Sequence, residues 1–299
     1  MTKNSSRKKI LLIGGCGYIG SYLYKKLINE KFEVLVCDNK TRSNPARIPI
    51  DFVNYQDITQ KNIKEINSIL WFAGHSSVKQ SVDDKIGSLK NNCIDLFSLI
   101  QKISPKTKLI YASTASLYSK DNSDSFLSNE KSLINIPENN AYDSSKFAFD
   151  YIAKNYLSNY YGLRMGTLSG YSKNLRKELI FNAMNISAFE TGVINVMNSE
   201  SVRTILYLED LWTLVKNLIN GNHKSGFYNA GSFTGSIAEI ALSIAKTWNS
   251  KIKYNGDSET YSFGLDCTKM KLVCGNELVL TSIEENCQKF IKNYQSNEK

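Results

Sequence analysis

The stretch Lys9-Ile-Leu-Leu-Ile13, which is followed by Gly14-Gly-Cys-Gly-Tyr-Ile-Gly20, decides the fold of this chain. The first run is typical of a buried strand, and the residues after Gly20 have the apolar spacing of a helix. Gly14 permits a tight turn, Gly17 lets backbone approach a pyrophosphate, and Gly20 lets the helix pack closely against the strand. The stretch therefore predicts a phosphate-binding turn between a strand and a helix.

The start of that helix offers backbone N–H groups and a partial positive charge to an anion, which makes Tyr18 and Ile19 candidate cofactor contacts. Because the spacing is G-x-x-G-x-x-G and not the standard G-x-G-x-x-G, the turn alone also fits an ordinary structural turn. A second apolar run, Glu33–Cys37, ends at Asp38. An acid about 20 residues after such a turn accepts hydrogen bonds from an adenosine ribose. The two features together predict dinucleotide binding.

The charge at position 38 also bears on the choice of cofactor. A carboxylate there repels a 2′-phosphate, so the sequence predicts NAD and not NADP. Lys40 and Arg42 follow closely behind and keep NADP open as the alternative.

Size and composition exclude several classes of protein. A chain of 299 residues with 42% hydrophobic residues has room for one large α/β domain or two unequal lobes around a cleft. Its six cysteines form no C-x-x-C pair and its two histidines lie far apart, so we expect buried thiols and no metal. No apolar run has the length of a signal peptide or a membrane span, which predicts a cytoplasmic protein. The net charge of +9 is spread along the chain, so we expect no nucleic-acid partner.

Apolar strands and amphipathic helices alternate up to about residue 200. This order is typical of an α/β fold with a doubly wound parallel sheet of the Rossmann type. We predict that residues 1–168 form the NAD-binding domain, with returning segments near 200–232. Residues 169–299 are predicted to form mainly a smaller α/β lobe that binds the substrate.

Ligands of open α/β sheets bind at the carboxyl ends of the strands, so residues at those ends are candidate contacts. Asp57 and Ile58 follow a short predicted strand and are placed to meet an adenine. Phe72, Ala73 and Gly74 end the next apolar run and would let the phosphates or ribose of a cofactor lie close to the backbone.

Further polar groups fall near the same predicted edge. The pattern over residues 85–102 predicts one amphipathic helix with Asn92 near its middle. Asparagine is a poor residue for a helix interior, so we expect Asn92 to bond the cofactor or neighbouring backbone. Ser113 and Thr114 end the following strand, and their hydroxyls are predicted to point into the cleft. His75, in the loop after the earlier strand, stays open as a ligand contact.

Tyr142 and Lys146 open a long amphipathic helix and share one of its faces, one turn apart. A lysine ammonium and an oxidised nicotinamide both favour the phenolate form of a tyrosine. Such a phenolate removes the proton from a substrate hydroxyl as hydride leaves the adjoining carbon. Thr114 or Ser113 would hold the same oxygen, and Lys146 would also bond the nicotinamide ribose.

The spacing Y-x-x-x-K is weak evidence by itself, since Tyr22 and Lys26 share it in the first helix. The pair at 142 and 146 differs in its context. It follows a predicted nucleotide-binding half and opens a helix that should flank the same cleft.

Taken together, these segments resemble the extended short-chain dehydrogenases/reductases, specifically the NAD-dependent sugar-nucleotide epimerase/dehydratase family. The resemblance covers nearly the whole chain. It is carried by segments that look like the family's opening, cofactor, active-site and late motifs: Ile13–Gly20, Val36–Asn39, Tyr55–Ile58, Trp71–Gly74, Tyr111–Tyr118, Tyr142–Lys146, Leu163–Gly166, Val202–Asp210 and Phe227–Gly231.

The resemblance implies NAD as the cofactor, with Asn39 among its contacts, and Thr114 as the catalytic hydroxyl beside the tyrosine and lysine. It implies that Arg203 contacts the diphosphate of the substrate, and more loosely that Asn182 belongs to the same site. The implied substrate is a nucleotide-diphosphate sugar, and a homodimer is a candidate assembly.

One departure from the family bears on the reaction. The family's 4,6-dehydratases carry an acidic pair directly after the catalytic threonine, whereas Ala115 and Ser116 follow Thr114 here. The sequence thus places no acid there to eliminate water, which favours epimerase or ketoreductase chemistry.

The sequence therefore predicts a sugar-nucleotide epimerase that oxidises C4 to a transient 4-keto group and returns the hydride to the opposite face. The first alternative is an NAD(P)H-dependent reductase of NDP-4-ketosugars. An alternative of another class is a non-catalytic scaffold that binds nucleotides or RNA, which the net charge of +9 keeps open. The retained Tyr142, Lys146 and Thr114 count against this scaffold.

Overall fold

The computed structural model describes residues 7–41, 43–76, 78–118, 127–136, 140–258, 260, 262–278 and 281–298. Their strands are β1 Lys9–Ile13, β2 Glu33–Cys37, β3 Ser68–Trp71, β4 Lys108–Thr114, β5 Tyr160–Met165, β6 Thr167–Ser169, β7 Val193–Val196, β8 Val202–Tyr207, β9 Gly226–Ala230, β10 Phe233–Ser236 and β11 Lys251–Tyr254. The helices are α1 Tyr18–Asn29, α2 Gln60–Ile63, α3 Val78–Asp83, α4 Lys85–Leu89, α5 Asp95–Ile100, α6 Ala141–Tyr156, α7 Ile180–Thr191, α8 Leu208–Asn220, α9 Ile237–Trp248, α10 Thr268–Cys274 and α11 Ile283–Glu298.

The main sheet has six strands in the order β2-β1-β3-β4-β5-β9. Every neighbouring pair in it is parallel, so the carboxyl ends of all its strands meet at one edge. This arrangement confirms the predicted α/β fold with a Rossmann-type parallel sheet.

Both faces of the main sheet are covered, because side chains alternate between the faces along each strand. In β1, Ile10 and Leu12 belong to a core that also contains residues of α1 and α8. Leu11 and Ile13 belong to a second core on the other face, together with residues of α5 and α6. This two-sided burial explains why the strand is apolar at every position from Ile10 to Ile13 and shows no alternation in its sequence.

The predicted helix over residues 85–102 is helical from Lys85 to Ile100, but it is not α-helical throughout. It consists of α4, a π-helical turn Lys90–Ile94 and α5. The turn brings Asn92 into a buried position, where its Nδ2 donates to Ser145 Oγ at 3.0 Å and to the His75 carbonyl at 3.3 Å. The periodicity was thus right for the two ends and wrong for the middle, since a π turn changes the helical register locally.

The rest of the described chain forms two small sheets. One has the order β10-β8-β6 and the other pairs β11 with β7. Residues of α7 and α9 form a separate core with residues of β7 and β8. Because β9 pairs with β5, the segment 226–230 belongs to the main sheet. The division of the chain at residue 168 stays a prediction.

Three features of the described residues relate to the composition of the chain. None of the helices found there is at once long and apolar enough to traverse a lipid bilayer. Within the same residues, no three His, Cys, Asp or Glu side chains gather as metal ligands do. All six cysteines are buried free thiols.

Candidate active site

A cavity of 580 Å³ lies along the carboxyl edge of the main sheet. Its wall contains the last residue of each of the strands β1 to β5: Ile13, Cys37, Trp71, Thr114 and Met165. This is the place where open parallel sheets bind their ligands.

The structure brings most of the predicted site residues together in the wall of this cavity. They are Gly14, Gly17, Tyr18, Ile19, Asp38, Asn39, Phe72, Ala73, Gly74, Ser113, Thr114, Tyr142 and Lys146. The predicted contacts outside the wall are Gly20, Asp57, Ile58, Asn92, Asn182 and Arg203.

The glycines of the first turn have distinct tasks. Gly14 has a φ of +84°, and a Cβ there would stand 2.7 Å from the Ala73 nitrogen. A Cβ on Gly20 would lie 1.9 Å from the Gly14 carbonyl oxygen, so Gly20 serves the close packing of α1. At Gly17 a Cβ would meet only the Gly14 oxygen, at 3.3 Å. The missing side chain of Gly17 therefore leaves an open cradle in the cavity wall.

The N-terminus of α1 completes this cradle. Its cap residue is Gly17, and no side chain of the described residues caps it. Tyr18 and Ile19, in the first turn, line the cavity. Backbone N–H groups of a first helical turn lack partners within the helix and bind anions. The cradle and the uncapped turn together fit the pyrophosphate of a dinucleotide.

Asp38 lies at the end of β2 and joins the glycine turn to the strand. Its carboxylate accepts hydrogen bonds from the backbone N–H groups of Cys16 at 2.8 Å and Lys40 at 2.9 Å. Each carboxylate oxygen keeps acceptor capacity for a ribose hydroxyl. Arg42, which kept NADP open, lies outside the described residues.

Replacing Asp38 by alanine is expected to weaken NAD binding by roughly 10–100-fold, because hydrogen bonds to a charged group contribute a factor of that size. NADP binding should fall less, because the repulsion of its 2′-phosphate disappears as well. Titration of the apo-protein with both cofactors measures the ratio. Asp51→Ala is the matched control, since Asp51 accepts from the Val36 N–H of the same strand at 2.7 Å and does not line the cavity. Equal losses for NAD and NADP would assign Asp38 a purely structural task.

Tyr142 and Lys146 face the cavity from the first two turns of α6. The Lys146 Nζ lies 5.8 Å from the centre of the Tyr142 ring and donates to the Ala112 carbonyl of β4 at 3.0 Å. Burial lowers the pKa of Lys146 to about 8, although the nearby Asp150 carboxylate opposes this change. A buried ammonium beside the phenol is the arrangement that favours a phenolate.

Asp150 lies one turn beyond Lys146 on α6 and organises the residues beneath the cavity. It accepts hydrogen bonds from Tyr111 Oη at 2.9 Å and from Ser113 Oγ at 3.0 Å. Arg164 Nε of β5 lies 3.1 Å from the same carboxylate, and both side chains of this ion pair are nearly inaccessible to water. The hydroxyl of Ser113 is thus directed to Asp150, which leaves Thr114 as the hydroxyl for a substrate.

Thr114 belongs to a chain of hydrogen bonds that leads away from the cavity. Its Oγ1 lies 2.7 Å from Ser116 Oγ, and Ser116 Oγ donates to Asp143 Oδ1. Thr114 and Ser116 line the cavity, whereas Asp143 is fully buried behind them. The sequence argument that no acid stands near Thr114 was therefore incomplete, because α6 delivers one from behind.

The predicted adenine contacts lie outside the cavity wall. Asp57 is exposed and accepts from the Asn54 N–H at 3.3 Å, while Ile58 is fully buried in the core. Tyr55 and Val53, from the same segment, line the cavity instead. The adenine contacts of Asp57 and Ile58 stay predictions.

Asn92 lies directly behind Gly74, which lines the cavity. Its Oδ1 has no hydrogen-bond partner among the described residues, and a Cβ on Gly74 would stand 2.2 Å from it. Asn92 thus bonds neighbouring groups, which is one of the two outcomes expected, and its contact with a cofactor stays a prediction.

Asn182 and Arg203, the two substrate contacts that the family resemblance implies, also lie behind the wall. Asn182 is fully buried, donating to the Arg176 carbonyl at 3.0 Å and accepting from the Gly170 N–H at 3.2 Å. These hydrogen bonds support a structural role for Asn182, which holds the segment 170–176 in place. Arg203 donates to Thr260 Oγ1 at 2.7 Å and stacks on Phe263, with 5.3 Å to the ring centre. Because Phe263 lines the cavity, Arg203 is one side chain removed from it.

Sequence reasoning missed several residues of the wall. Arg176 enters it from the segment after β6, where its NH1 donates to the Ser76 carbonyl at 3.3 Å. Thr167 and Phe263 also line the cavity. Their segments lack periodicity, and no spacing rule links them to the glycine turn, so only the fold reveals them.

A family model described as the NAD dependent epimerase/dehydratase family matches residues 10–231. The chain belongs to this family. The matched span begins in β1, ends just after β9, and contains the glycine turn, Tyr142 and Lys146. The predicted family is confirmed, and so is the predicted cofactor, since the NAD dependent epimerase/dehydratase family uses NAD.

Curated relatives of the family show several reactions. The chain is 24% identical, over 97% of its length, to a trifunctional UDP-glucose 4,6-dehydratase/UDP-4-keto-6-deoxy-D-glucose 3,5-epimerase/UDP-4-keto-L-rhamnose-reductase of Arabidopsis thaliana. It spans about half of that protein, 47% of its length. It is 27% identical to an ADP-L-glycero-D-manno-heptose-6-epimerase of Brachyspira hyodysenteriae, with 81% of each chain covered. The relatives therefore support the family without selecting one reaction.

Solved structures of the family support the fold. A UDP-glucose 4-epimerase of Thermotoga maritima, solved with UDP-glucose, matches this chain with a TM-score of 0.81. The match covers 97% of this chain and 100% of the other at 19% identity. At this identity the likeness shows a shared fold and leaves the substrate undecided.

Proposed function

We propose that the chain is an NAD-dependent epimerase that inverts C4 of a nucleotide-diphosphate sugar through a transient 4-keto group. The observation that supports it most is the meeting of Tyr142, Lys146 and Thr114 with the glycine turn in one cavity. A redox reaction at an alcohol carbon needs a base, a cation that favours its ionised form, and a donor for the alcohol oxygen.

The residues present fit the dinucleotide. Gly14, Gly17 and the start of α1 would hold its pyrophosphate, and Asp38 would hold the adenosine ribose. When bound, NAD supplies an acceptor for the hydride of C4 that can also give the hydride back.

Tyr142 is the residue that exchanges the proton of the C4 hydroxyl. Its phenolate form is favoured by the buried ammonium of Lys146, whose Nζ is 5.8 Å from the ring centre. Thr114 holds the same oxygen of the sugar. After the sugar turns, Tyr142 returns the proton to the oxygen of the product.

The positions of the acidic residues in and behind the cavity favour a redox reaction without water elimination. Asp38 is the one carboxylate that the described residues place in the wall, and it lies at the end of β2. The buried Asp143 reaches the cavity only through Ser116. A dehydratase needs an acid that protonates the hydroxyl leaving as water, and of the two residues that follow Thr114 the wall contains the neutral Ser116.

Retention of the cofactor favours an epimerase over a reductase, because an epimerase uses the same NAD molecule in every turnover. Three hydrogen bonds join the segment 170–174 to the glycine turn and α1. Tyr18 Oη donates to the Gly170 carbonyl at 2.6 Å, and Asn174 Nδ2 donates to the Cys16 carbonyl at 2.9 Å. Ser21 Oγ lies 2.6 Å from Ser172 Oγ. These bonds support slow exchange of a cofactor held by the turn.

The proposal extends to the second lobe. Residues 169–299 would bind the sugar nucleotide, with Arg203 meeting its diphosphate after a movement of Phe263. We further propose a cytoplasmic location, as the lack of an apolar run of signal-peptide or membrane-span length predicts, and a homodimer, as the family resemblance implies.

An assay with purified protein tests the proposed function. UDP-glucose and other sugar nucleotides are expected to be converted into their C4 epimers with no net change in NAD(P)H absorbance. Net oxidation of NADH or NADPH by an NDP-4-ketosugar would instead support the reductase. Nucleic-acid affinity at physiological salt without turnover of any sugar nucleotide would support the scaffold.

A further inference from the structure

The chain of hydrogen bonds from Thr114 to Asp143 has a direction. The Ser116 hydroxyl has a single proton, which it donates to Asp143 Oδ1 when that carboxylate is ionised. The contact of 2.7 Å between the hydroxyls of Thr114 and Ser116 then requires Thr114 to be the donor. The Ser116 N–H, 3.3 Å from Thr114 Oγ1, occupies one of that oxygen's lone pairs. Thr114 is left with a lone pair for the cavity and no proton.

A protonated Asp143 reverses this order. Its carboxyl O–H then donates a hydrogen bond to Ser116 Oγ. The Ser116 hydroxyl donates to Thr114 Oγ1, and the Thr114 hydroxyl proton points into the cavity. The reversal takes up one proton in total. This proton enters from the cavity through Thr114 and Ser116, each of which passes on its own proton, and no bond between heavy atoms changes.

The two directions suit different states of a sugar at C4. A hydroxyl is a donor and is held well by the lone pair of Thr114. A keto oxygen has only lone pairs, so it is repelled by a lone pair and bound by a proton. An epimerase holds both states in one site within each turnover.

We propose that Asp143 is a positioning residue that acts through Ser116 and decides whether Thr114 accepts from the substrate hydroxyl or donates to its keto oxygen. The inference rests on the proposed function, because only an enzyme that carries a C4 alcohol and a C4 ketone needs both directions. It assigns Ser116 a task as the link between the buried acid and the cavity.

The surroundings of Asp143 suit this task. Burial raises the pKa of Asp143 to about 6, although hydrogen bonds from Ser116 and Asn140 oppose the change. Both of these partners are neutral. Its ionisable neighbours on α6 are Tyr142 and Lys146, and the Lys146 Nζ is bonded to the Ala112 carbonyl. Both protonation states of Asp143 are thus accessible near neutral pH.

The variant Asp143→Asn imitates the protonated acid. The amide oxygen at position 143 can accept from Asn140 Nδ2, which now bonds the carboxylate, while the amide nitrogen donates to Ser116 Oγ. Thr114 then remains a donor. In enzyme saturated with substrate, the fraction of reduced nicotinamide is expected to rise by roughly 3–10-fold, because one additional hydrogen bond stabilises the bound ketone by a factor of that size.

A double-mutant cycle with Ser116→Ala separates this effect from a general disturbance. In the Ser116→Ala background, Asp143→Asn is expected to leave the reduced fraction unchanged, because the link to Thr114 is gone. Asp210→Asn is the matched control, since Asp210 is a partly buried acid that accepts from Ser232 Oγ and does not line the cavity. The proposal is overturned if Asp143→Asn acts equally with and without Ser116, or if Asp210→Asn acts like it.

A measurement without substrate keeps the inference separate from the proposed function. Difference infrared spectroscopy, wild type minus Asp143→Asn, follows the protonated carboxyl band as pH is lowered through about 6. Ser116→Ala is expected to move the midpoint to higher pH, because the Ser116 hydrogen bond lowers this pKa. An unchanged midpoint refutes the link, even if epimerase activity is found. A shifted midpoint in a protein that turns over no sugar nucleotide refutes the proposed function and leaves the link intact.

Discussion

Replacing Tyr142 by phenylalanine is expected to lower kcat by about 10²–10⁴-fold, the range that a positioned acid or base contributes. The ring and its place near Lys146 are retained, and only the hydroxyl that exchanges the proton is lost. NAD affinity should stay within about twofold of wild type, because the glycine turn and Asp38 make the main contacts with it. Steady-state kinetics and cofactor titration on the same preparation measure both quantities.

The chain contains a natural control for this experiment. Tyr22 and Lys26 have the same spacing in α1, with the Lys26 Nζ 5.5 Å from the centre of the Tyr22 ring. Tyr22 does not line the cavity. Tyr22→Phe should therefore leave kcat unchanged. Full activity of Tyr142→Phe would refute the assigned base, and equal losses in both variants would point to a defect of folding.

Removing the Asp150 carboxylate is expected to have the largest effect on stability. Asp150→Ala leaves Arg164 buried without its charge partner, and it also leaves the hydroxyls of Tyr111 and Ser113 without an acceptor. Breaking a buried pair in this way costs about 3–5 kcal/mol in the free energy of unfolding. Urea unfolding followed by circular dichroism measures the loss. Asp150→Asn keeps the shape and an acceptor, so it supplies a folded variant if the alanine protein fails to fold.

An exposed ion pair is the comparison for this variant. Lys216 Nζ lies 2.8 Å from Glu277 Oε2, and half of the Glu277 side chain is exposed. Glu277→Ala should cost less than about 1 kcal/mol, as is usual for surface pairs. A loss for Asp150→Ala no greater than that for Glu277→Ala would contradict the structural task of Asp150.

Asp150→Asn also has an expected effect on the pH profile. Burial lowers the pKa of Lys146 to about 8, and the Asp150 charge raises it. Without that charge the pKa falls further, so Lys146 loses its proton at a lower pH. The alkaline limb of kcat should therefore move to lower pH, because a neutral Lys146 no longer favours the Tyr142 phenolate. An unmoved limb would show that Lys146 does not govern it.

Local patterns were sufficient for much of the fold. The turn from Gly14 to Gly20 depends on contacts close in sequence, the strand that ends just before Asp38 has a plain apolar pattern, and the structure has both as predicted. The strand end at Thr114 and the helix opened by Tyr142 were also predicted, since each has a plain apolar pattern, and the helix begins one residue earlier, at Ala141. Their meeting in one cavity follows from the parallel order of the strands.

The contacts behind the cavity were not predictable in the same way. The acid that reaches Thr114 comes from residue 143 and not from the positions after the threonine, because the 3-10 helix Ala115–Tyr118 packs against the start of α6. Asn182 was predicted from a family resemblance, yet its amide is used by the segment 170–176. Such contacts depend on how distant segments pack, which neither spacing nor periodicity encodes.

The pairing of β9 with β5 has a consequence for synthesis on the ribosome. Translation proceeds from the N-terminus, and β5 is complete some time before Gly226–Ala230 has been made. During that interval the nascent chain carries an open β-edge whose hydrogen-bonding groups can recruit a strand from another chain. A chaperone that shields this edge until the final strand emerges would raise the yield of native protein.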